Sequence, residues 1–189
     1  MRTCHKSTLL LPIIGLLVAA TSTIQAQELT VWHIKAVHPE GRLLDVKALD
    51  RNGKIYDIKA LEENGNRQFM DIKSLMGDTR IPVKILVSDD KYAPVKAIAD
   101  DGTILDIKAL APDGQRLDVK GVKRSGSIFH IKAVAPDGQF YGIKAISPQG
   151  QLCDVKGIKV SSELKETEIA GVPVAAHVKA LPPAPARGE

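Results

Sequence analysis

Two cysteines, one tryptophan and 4% aromatic residues in a chain of 189 leave few of the groups from which recognisable sites are built. Cys4 lies in the first 26 residues, so the chain that remains without them keeps only Cys153 and cannot close an internal disulfide. There is no CxxC pair, no glycine-rich phosphate loop and no nucleophile elbow. A dominant charge of one sign is also lacking. Residues 1–26 hold two basic and no acidic side chains, so 26 − 2 = 24 positive charges stand against 22 negative ones. A net charge of +2 spread through a mixed surface does not make a nucleic-acid binder, which needs a one-signed patch.

The apolar segments are short as well. Leu9 to Ala20 forms a run broken by Pro12 and Gly15, preceded by Arg2 and Lys6 and followed by Ile24-Gln25-Ala26. That is the layout of a cleaved signal peptide, too short and wrongly flanked for a membrane span. Cys4 precedes the run, so it is not positioned as a lipoprotein cysteine. We therefore expect residues 1–26 to direct export, 27–181 to form one β-repeat domain, and the proline-rich 182–189 to be a disordered tail. The expected location is periplasmic, extracellular or cell-surface associated, with no transmembrane span after cleavage.

What the chain does contain is one phrase, written as DVKAL at 45–49 and DIKAL at 57–61 and repeated with variations. Its lysines are Lys35, Lys47, Lys59, Lys73, Lys84, Lys96, Lys108, Lys120, Lys132, Lys144, Lys156 and Lys179, mostly 12 residues apart, with steps of 14, 11 and 23 as exceptions. A 12-residue period holds one strand and one turn, whereas helical and propeller repeats are far longer. Seven triplets ending in glycine, at Gly41, Gly53, Gly102, Gly114, Gly126, Gly138 and Gly150, read as three-residue hairpin loops whose glycine takes a positive φ.

A three-residue loop at 51–53 predicts the register of its hairpin. Lys47 falls opposite Asp57 and Asp45 opposite Lys59, while Ala48 meets Tyr56 and Val46 meets Ile58. Opposite charges and matched volumes across a strand pair each contribute about 0.2–1 kcal/mol. A parallel stack would instead set lysine on lysine. The fold expected is all-β: an antiparallel up-and-down meander of about twelve 12-residue strand-turn repeats, rolled into a flattened barrel or two-layer sheet. An even strand count would let the strand at 31–37 meet the last one and remove both edges. Pro82 and Pro94 replace the acid where the step is 11, which points to a sheet edge or layer crossing at 76–98. Residues 161–170 fall out of register and read as a loop or degenerate strand before the last copy at 176–181.

One face of every strand is core by its pattern: a mostly large residue three before the lysine, Ile or Val just before it, and a small residue just after it. Ile85 is the exception in the small column, and Cys153 belongs to the large one. The other face carries the Asp/Lys band between two apolar stripes, one headed by Leu49 and Leu61, the other by Leu43, Ile55 and Phe69. Such stripes are more than a soluble monomer ordinarily exposes.

Function follows from that unusual face. Catalysis requires one site whose surroundings separate two pKa values, and a motif copied along a sheet makes many equivalent sites, so no catalytic residue and no enzyme are expected. His33, His130 and His177 replace the acid of the repeat, and with His38 they do not form a metal-ligand pattern; no metal or other cofactor is implied. We expect a secreted non-enzymatic β-repeat protein, a structural or interaction module at the cell envelope whose apolar stripes meet a protein partner or a second copy. The alternative is a glycan- or polyanion-binding protein that uses the lysine ladder, with Lys47, Lys59, Lys108, Lys120, Lys132, Lys144 and Lys156 as the binding residues.

Overall fold

The computed structural model describes residues 28–160 and 168–183. The segment read as an export signal, the stretch 161–167 and the tail from 184 lie outside the described residues. Within them the chain is all β and without helix: β1 (Leu29–Val37), β2 (Leu43–Leu49), β3 (Ile55–Glu63), β4 (Asn66–Met76), β5 (Thr79–Leu86), β6 (Ala93–Ile98), β7 (Ile104–Leu110), β8 (Arg116–Ser125), β9 (Ile128–Val134), β10 (Phe140–Ile146), β11 (Leu152–Lys159), β12 (Glu168–Ile169) and β13 (Val172–Leu181). The twelve phrases occupy every strand except the two-residue β12, which pairs only with β13. Every pairing is antiparallel.

Six of the seven glycine triplets form the expected loop. The glycine donates its N–H to the carbonyl three residues back, as Gly53 does to Asp50 at 3.0 Å, and its φ lies between 80° and 86°. The seventh differs: Ser125 pairs with Ile128, leaving a two-residue turn of Gly126 and Ser127. The 11-residue step has a similar origin. Met76 pairs with Thr79 across the two-residue turn Gly77-Asp78, so the missing residue is taken from the loop and the strand keeps its face.

In the six hairpins with the expected glycine loop the register holds for three pairs and then the strands part. Lys47 lies opposite Asp57, Ala48 opposite Tyr56 and Leu49 opposite Ile55. Asp45 then pairs with Lys35 of β1, and Lys59 with His33, so the expected Asp45–Lys59 and Val46–Ile58 pairs do not form. Strands β1, β2 and β3 therefore close a triangle in which each shares one half of its length with each neighbour. The same happens in β4, β5 and β13, in β6, β7 and β8, and in β9, β10 and β11.

Along its other edge each strand joins a strand of a different triangle. The pairs are β1 with β10, β2 with β7, β3 with β4, β5 with β6, β8 with β9, and β11 with β13. Each triangle is thereby linked once to each of the other three, which is the connectivity of a tetrahedron. The sheet closes, as a meander with short turns allows, but it closes by branching, which neither a flattened barrel nor two layers anticipates. β1 does not meet the last strand: β13 lies against β4, β5 and β11.

This arrangement solves the filling problem of a twelve-strand ring. The Ile or Val before each lysine, from Ile34 to Val178, points to one shared centre, where the twelve side chains leave a wholly apolar cavity of about 10 Å³. That is about one water-sized void, and its lining offers a water no hydrogen bond. The small residues after the lysines are fully buried in the core, Ala36, Ala48 and Ala60 among them. Ile85, the large exception, is accommodated by glycines at the same position in two other repeats. A Cβ at Gly121 would stand 3.5 Å from Ile85, and one at Gly157 would overlap Ile85 Cδ1.

No sheet edge falls at 76–98. β5 and β6 pair with each other and with two further strands apiece. The prolines act within that pair instead. Only Val83–Ala97, Lys84–Lys96 and Ile85–Val95 are bridged, whereas β1–β10 and β2–β7 each run for five pairs. Extending the β5–β6 register by one step at each end would set Pro82 against Ile98 and Pro94 against Leu86. Proline has no N–H to offer there, so the pair stops.

Candidate functional site

The pairing assigns the lysines to positions that the repeat alone does not show. On each long pair two lysines stand directly opposite: Lys35 and Lys144, Lys47 and Lys108, Lys59 and Lys73, Lys84 and Lys96, Lys120 and Lys132, Lys156 and Lys179. Lysine therefore does meet lysine in this antiparallel sheet, at six places. Like charges so placed repel. The long side chains relieve this by reaching toward the triangles, where each lysine is opposite the residue two before the lysine of the next strand.

Each triangle thus carries three lysines and three partner positions. In the β1–β2–β3 triangle Lys35 bonds Asp45, Lys47 bonds Asp57 and Lys59 contacts His33 Nδ1 at 3.0 Å. In β6–β7–β8, Lys96 bonds Asp106 and Lys108 bonds Asp118, while Lys120, opposite Pro94, lies 3.7 Å from Asp118. In β4–β5–β13, Lys179 bonds Asp71, Lys73 lies 3.8 Å from the same carboxylate, and Lys84 bonds His177. In β9–β10–β11, Lys144 bonds Asp154 and Lys156 lies 3.6 Å from it, with Lys156 opposite His130 and Lys132 opposite Gly142.

Of the sequence candidates, Lys47 and Lys59 fall in the first triangle, Lys108 and Lys120 in the second, and Lys132, Lys144 and Lys156 in the last. Only these last three share one junction in full. The histidines are dispersed one to a triangle, His33, His177 and His130, and among the described residues no three His, Cys, Asp or Glu side chains gather as for a metal ion.

The charges respond to this layout. Hydrogen bonding from Lys35 holds the Asp45 carboxyl below the usual range, and Lys47 does the same for Asp57. Burial pushes Asp154 up, but the bond from Lys144 and the charge of Lys156 outweigh it and its pKa is lowered. Burial and the charges of Lys59 and Lys35 lower His33, and burial with Lys156, Lys123 and Lys132 lowers His130. Burial together with Lys156 and Lys144 lowers the Lys132 ammonium.

The apolar stripes divide on folding. In the stripe after the lysines Leu49, Leu61 and Ile98 are buried, while in the stripe before them Leu43, Ile55, Phe69, Phe140 and Leu152 remain 41–64% exposed. Sequence reasoning missed one polar network. Glu62, only 3% exposed, accepts from Trp32 Nε1 at 2.7 Å and Arg67 Nε at 2.8 Å, and Arg67 also donates to Gln151 at 2.7 Å. Burial acts to raise the Glu62 pKa, and these two donors hold it below normal. Nothing in the repeat marks Glu62, because it lies outside the phrase. Cys153 is buried in the core with its thiol pushed up by burial, an environment that disfavours the thiolate.

Fold and site together define a closed antiparallel β-repeat protein whose charged residues converge at four three-strand junctions. The chain belongs to a family of unknown function, DUF7486, which it matches over residues 28–181. No curated protein and no solved structure matches it.

Proposed function

We propose that this is an exported, non-enzymatic interaction module that contacts a protein partner or a second copy of itself at the cell envelope. One observation carries the reading. The residues four before the lysine are apolar and exposed around two adjoining triangles: Val31, Leu43 and Ile55 on β1–β2–β3, and Ile128, Phe140 and Leu152 on β9–β10–β11, each 38–51% exposed. The corresponding positions elsewhere are mixed: Arg80 and Arg116 are charged, whereas Phe69, alone on the β4–β5–β13 triangle, is apolar and exposed. These two triangles share the β1–β10 pair, so their apolar rims border one continuous surface. Export rests on the sequence of residues 1–26. Light scattering of residues 27–189 at two protein concentrations tests the contact. A defined oligomer that Leu43→Ser with Phe140→Ser disperses supports self-assembly. A monomer at both concentrations leaves the surface to another protein and removes the self-association arm.

A further inference from the structure

Lys132 is the odd member of the twelve. Each of the other eleven has a carboxylate or histidine partner within its triangle, whereas Lys132 has no hydrogen bond or salt bridge among the described residues. The cause is Gly142, which stands where Asp45, Asp57, Asp106, Asp118 and Asp154 stand in other strands. A side chain at Gly142 would begin 3.7 Å from Lys132 Nζ, so the lost carboxylate would have lain against that ammonium. The third partner position is His130, no carboxylate, whose pKa burial and the neighbouring Lys156, Lys123 and Lys132 lower. Three lysines therefore share one carboxylate, Asp154. The β4–β5–β13 triangle has the same ratio, but there Lys84 is only 9% exposed and is engaged with His177. The flanking strands add no acid at Gly142: Lys120 lies opposite Lys132, Lys35 opposite Lys144, and Lys123 opposite His130.

We infer that the β9–β10–β11 junction binds a small oxyanion, a phosphate or sulfate group, held by Lys132, Lys144 and Lys156 in the place of the missing carboxylate. The chemistry fits the group. Three ammonium ions on converging strands can each address one oxygen of a tetrahedral anion, and lysine acts there as a compact charge with freely rotating donors. Ile128, Phe140 and Leu152 rim the same junction and lower the local polarity, which strengthens a charged contact. Burial lowers the Lys132 pKa first and the charges of Lys156 and Lys144 add to this; a bound anion offsets that second, repulsive part. The three lysines belong to one copy of the chain, so the unassembled protein presents the site.

The test is calorimetric titration of the purified protein in low-salt chloride-free buffer with inorganic phosphate and, separately, sulfate. Saturable binding of one equivalent is expected for at least one of the two. Gly142→Asp supplies the absent carboxylate and should weaken binding by about tenfold or more, with a melting temperature equal to or above that of the parent, so that the loss is not unfolding. Lys96→Gln, which removes a lysine from the β6–β7–β8 triangle, should leave the affinity unchanged. The inference is overturned by absence of saturable binding at millimolar anion, by undiminished affinity in Gly142→Asp, or by an equal loss in Lys96→Gln, which would mark general charge attraction. Phosphate alone or sulfate alone supports the site and identifies which anion it prefers.

Discussion

Gly157→Ala should destabilise the protein although alanine is the commonest residue at that position of the repeat. The reason is Ile85, which is fully buried and occupies the space that a Cβ at Gly157 would enter. Moving the Ile85 Cδ1 methyl aside does not free the site, because the same Cβ would stand 3.3 Å from Ile85 Cγ1 and 3.0 Å from Phe129 Cβ. Overpacking of this kind costs about 1–3 kcal/mol. Ile85→Ala alone empties a buried volume and should cost about 2–5 kcal/mol. Combined, the alanine methyl at 157 enters the space that isoleucine leaves, so the double variant should be more stable than the sum of the single losses by about 1–3 kcal/mol. Equilibrium urea unfolding of the four proteins measures this, with the slope held constant as evidence that only stability has changed. A neutral Gly157→Ala, or a cycle additive within about 0.5 kcal/mol, would refute the proposed packing.

Three further outcomes follow from the same geometry. Ser74 occupies the small column, is fully buried and has no hydrogen-bond partner for its hydroxyl among the described residues; Ser74→Ala should raise stability by about 1 kcal/mol or more, read as a higher urea midpoint. Gly53 has a φ of 80° with open space around it, so Gly53→Val should cost about 1–3 kcal/mol from backbone strain alone, while Gly53→Asn should cost less; equal melting temperatures for Val and Gly would count against the turn. Stability should fall in two stages on acidification. His33 and His130 have folded pKa values below the unfolded value of about 6.5, so their contribution is complete above that pH and is lost as pH falls through the lowered folded values. Asp45, Asp57 and Asp154 have folded values below about 3.9, so their contribution persists above that pH and disappears as pH drops through the folded values. His33→Gln with His130→Gln should abolish the upper stage in a pH series of urea midpoints and leave the lower one.

The repeat was legible because each strand is locally self-consistent. The glycine turns, the buried and exposed faces and the first three pairs of each hairpin depend on neighbours within about 12 residues, and alternation with turn chemistry reveals them. Branching was not legible, because it is decided at long range. Nothing in DVKAL at 45–49 says that Lys47 will face Lys108 while Asp45 turns back to Lys35. The reasoning that disfavoured lysine against lysine treated each charge as fixed at its Cα, whereas a lysine ammonium reaches several ångströms to a carboxylate on the adjoining strand. The same limitation hid Gly142. The absent acid is visible when the phrases are aligned, but that it empties the partner position of Lys132, and not of Lys144, follows only from the triangle. Pro82 and Pro94 likewise read as an edge until their strands prove to be each other's long-pair partners, with both prolines at the ends of one shortened ladder.

The most direct measurement is a set of cross-strand backbone nuclear Overhauser contacts in solution. The branched arrangement predicts contacts between Ala48 and Ile107, between Ala36 and Ile143, and between Asp45 and Lys35. An unbranched meander would instead give Val46 with Ile58 and Asp45 with Lys59. Finding that second set and missing the first would contradict the four-junction fold and, with it, the assignment of Lys132, Lys144 and Lys156 to one site.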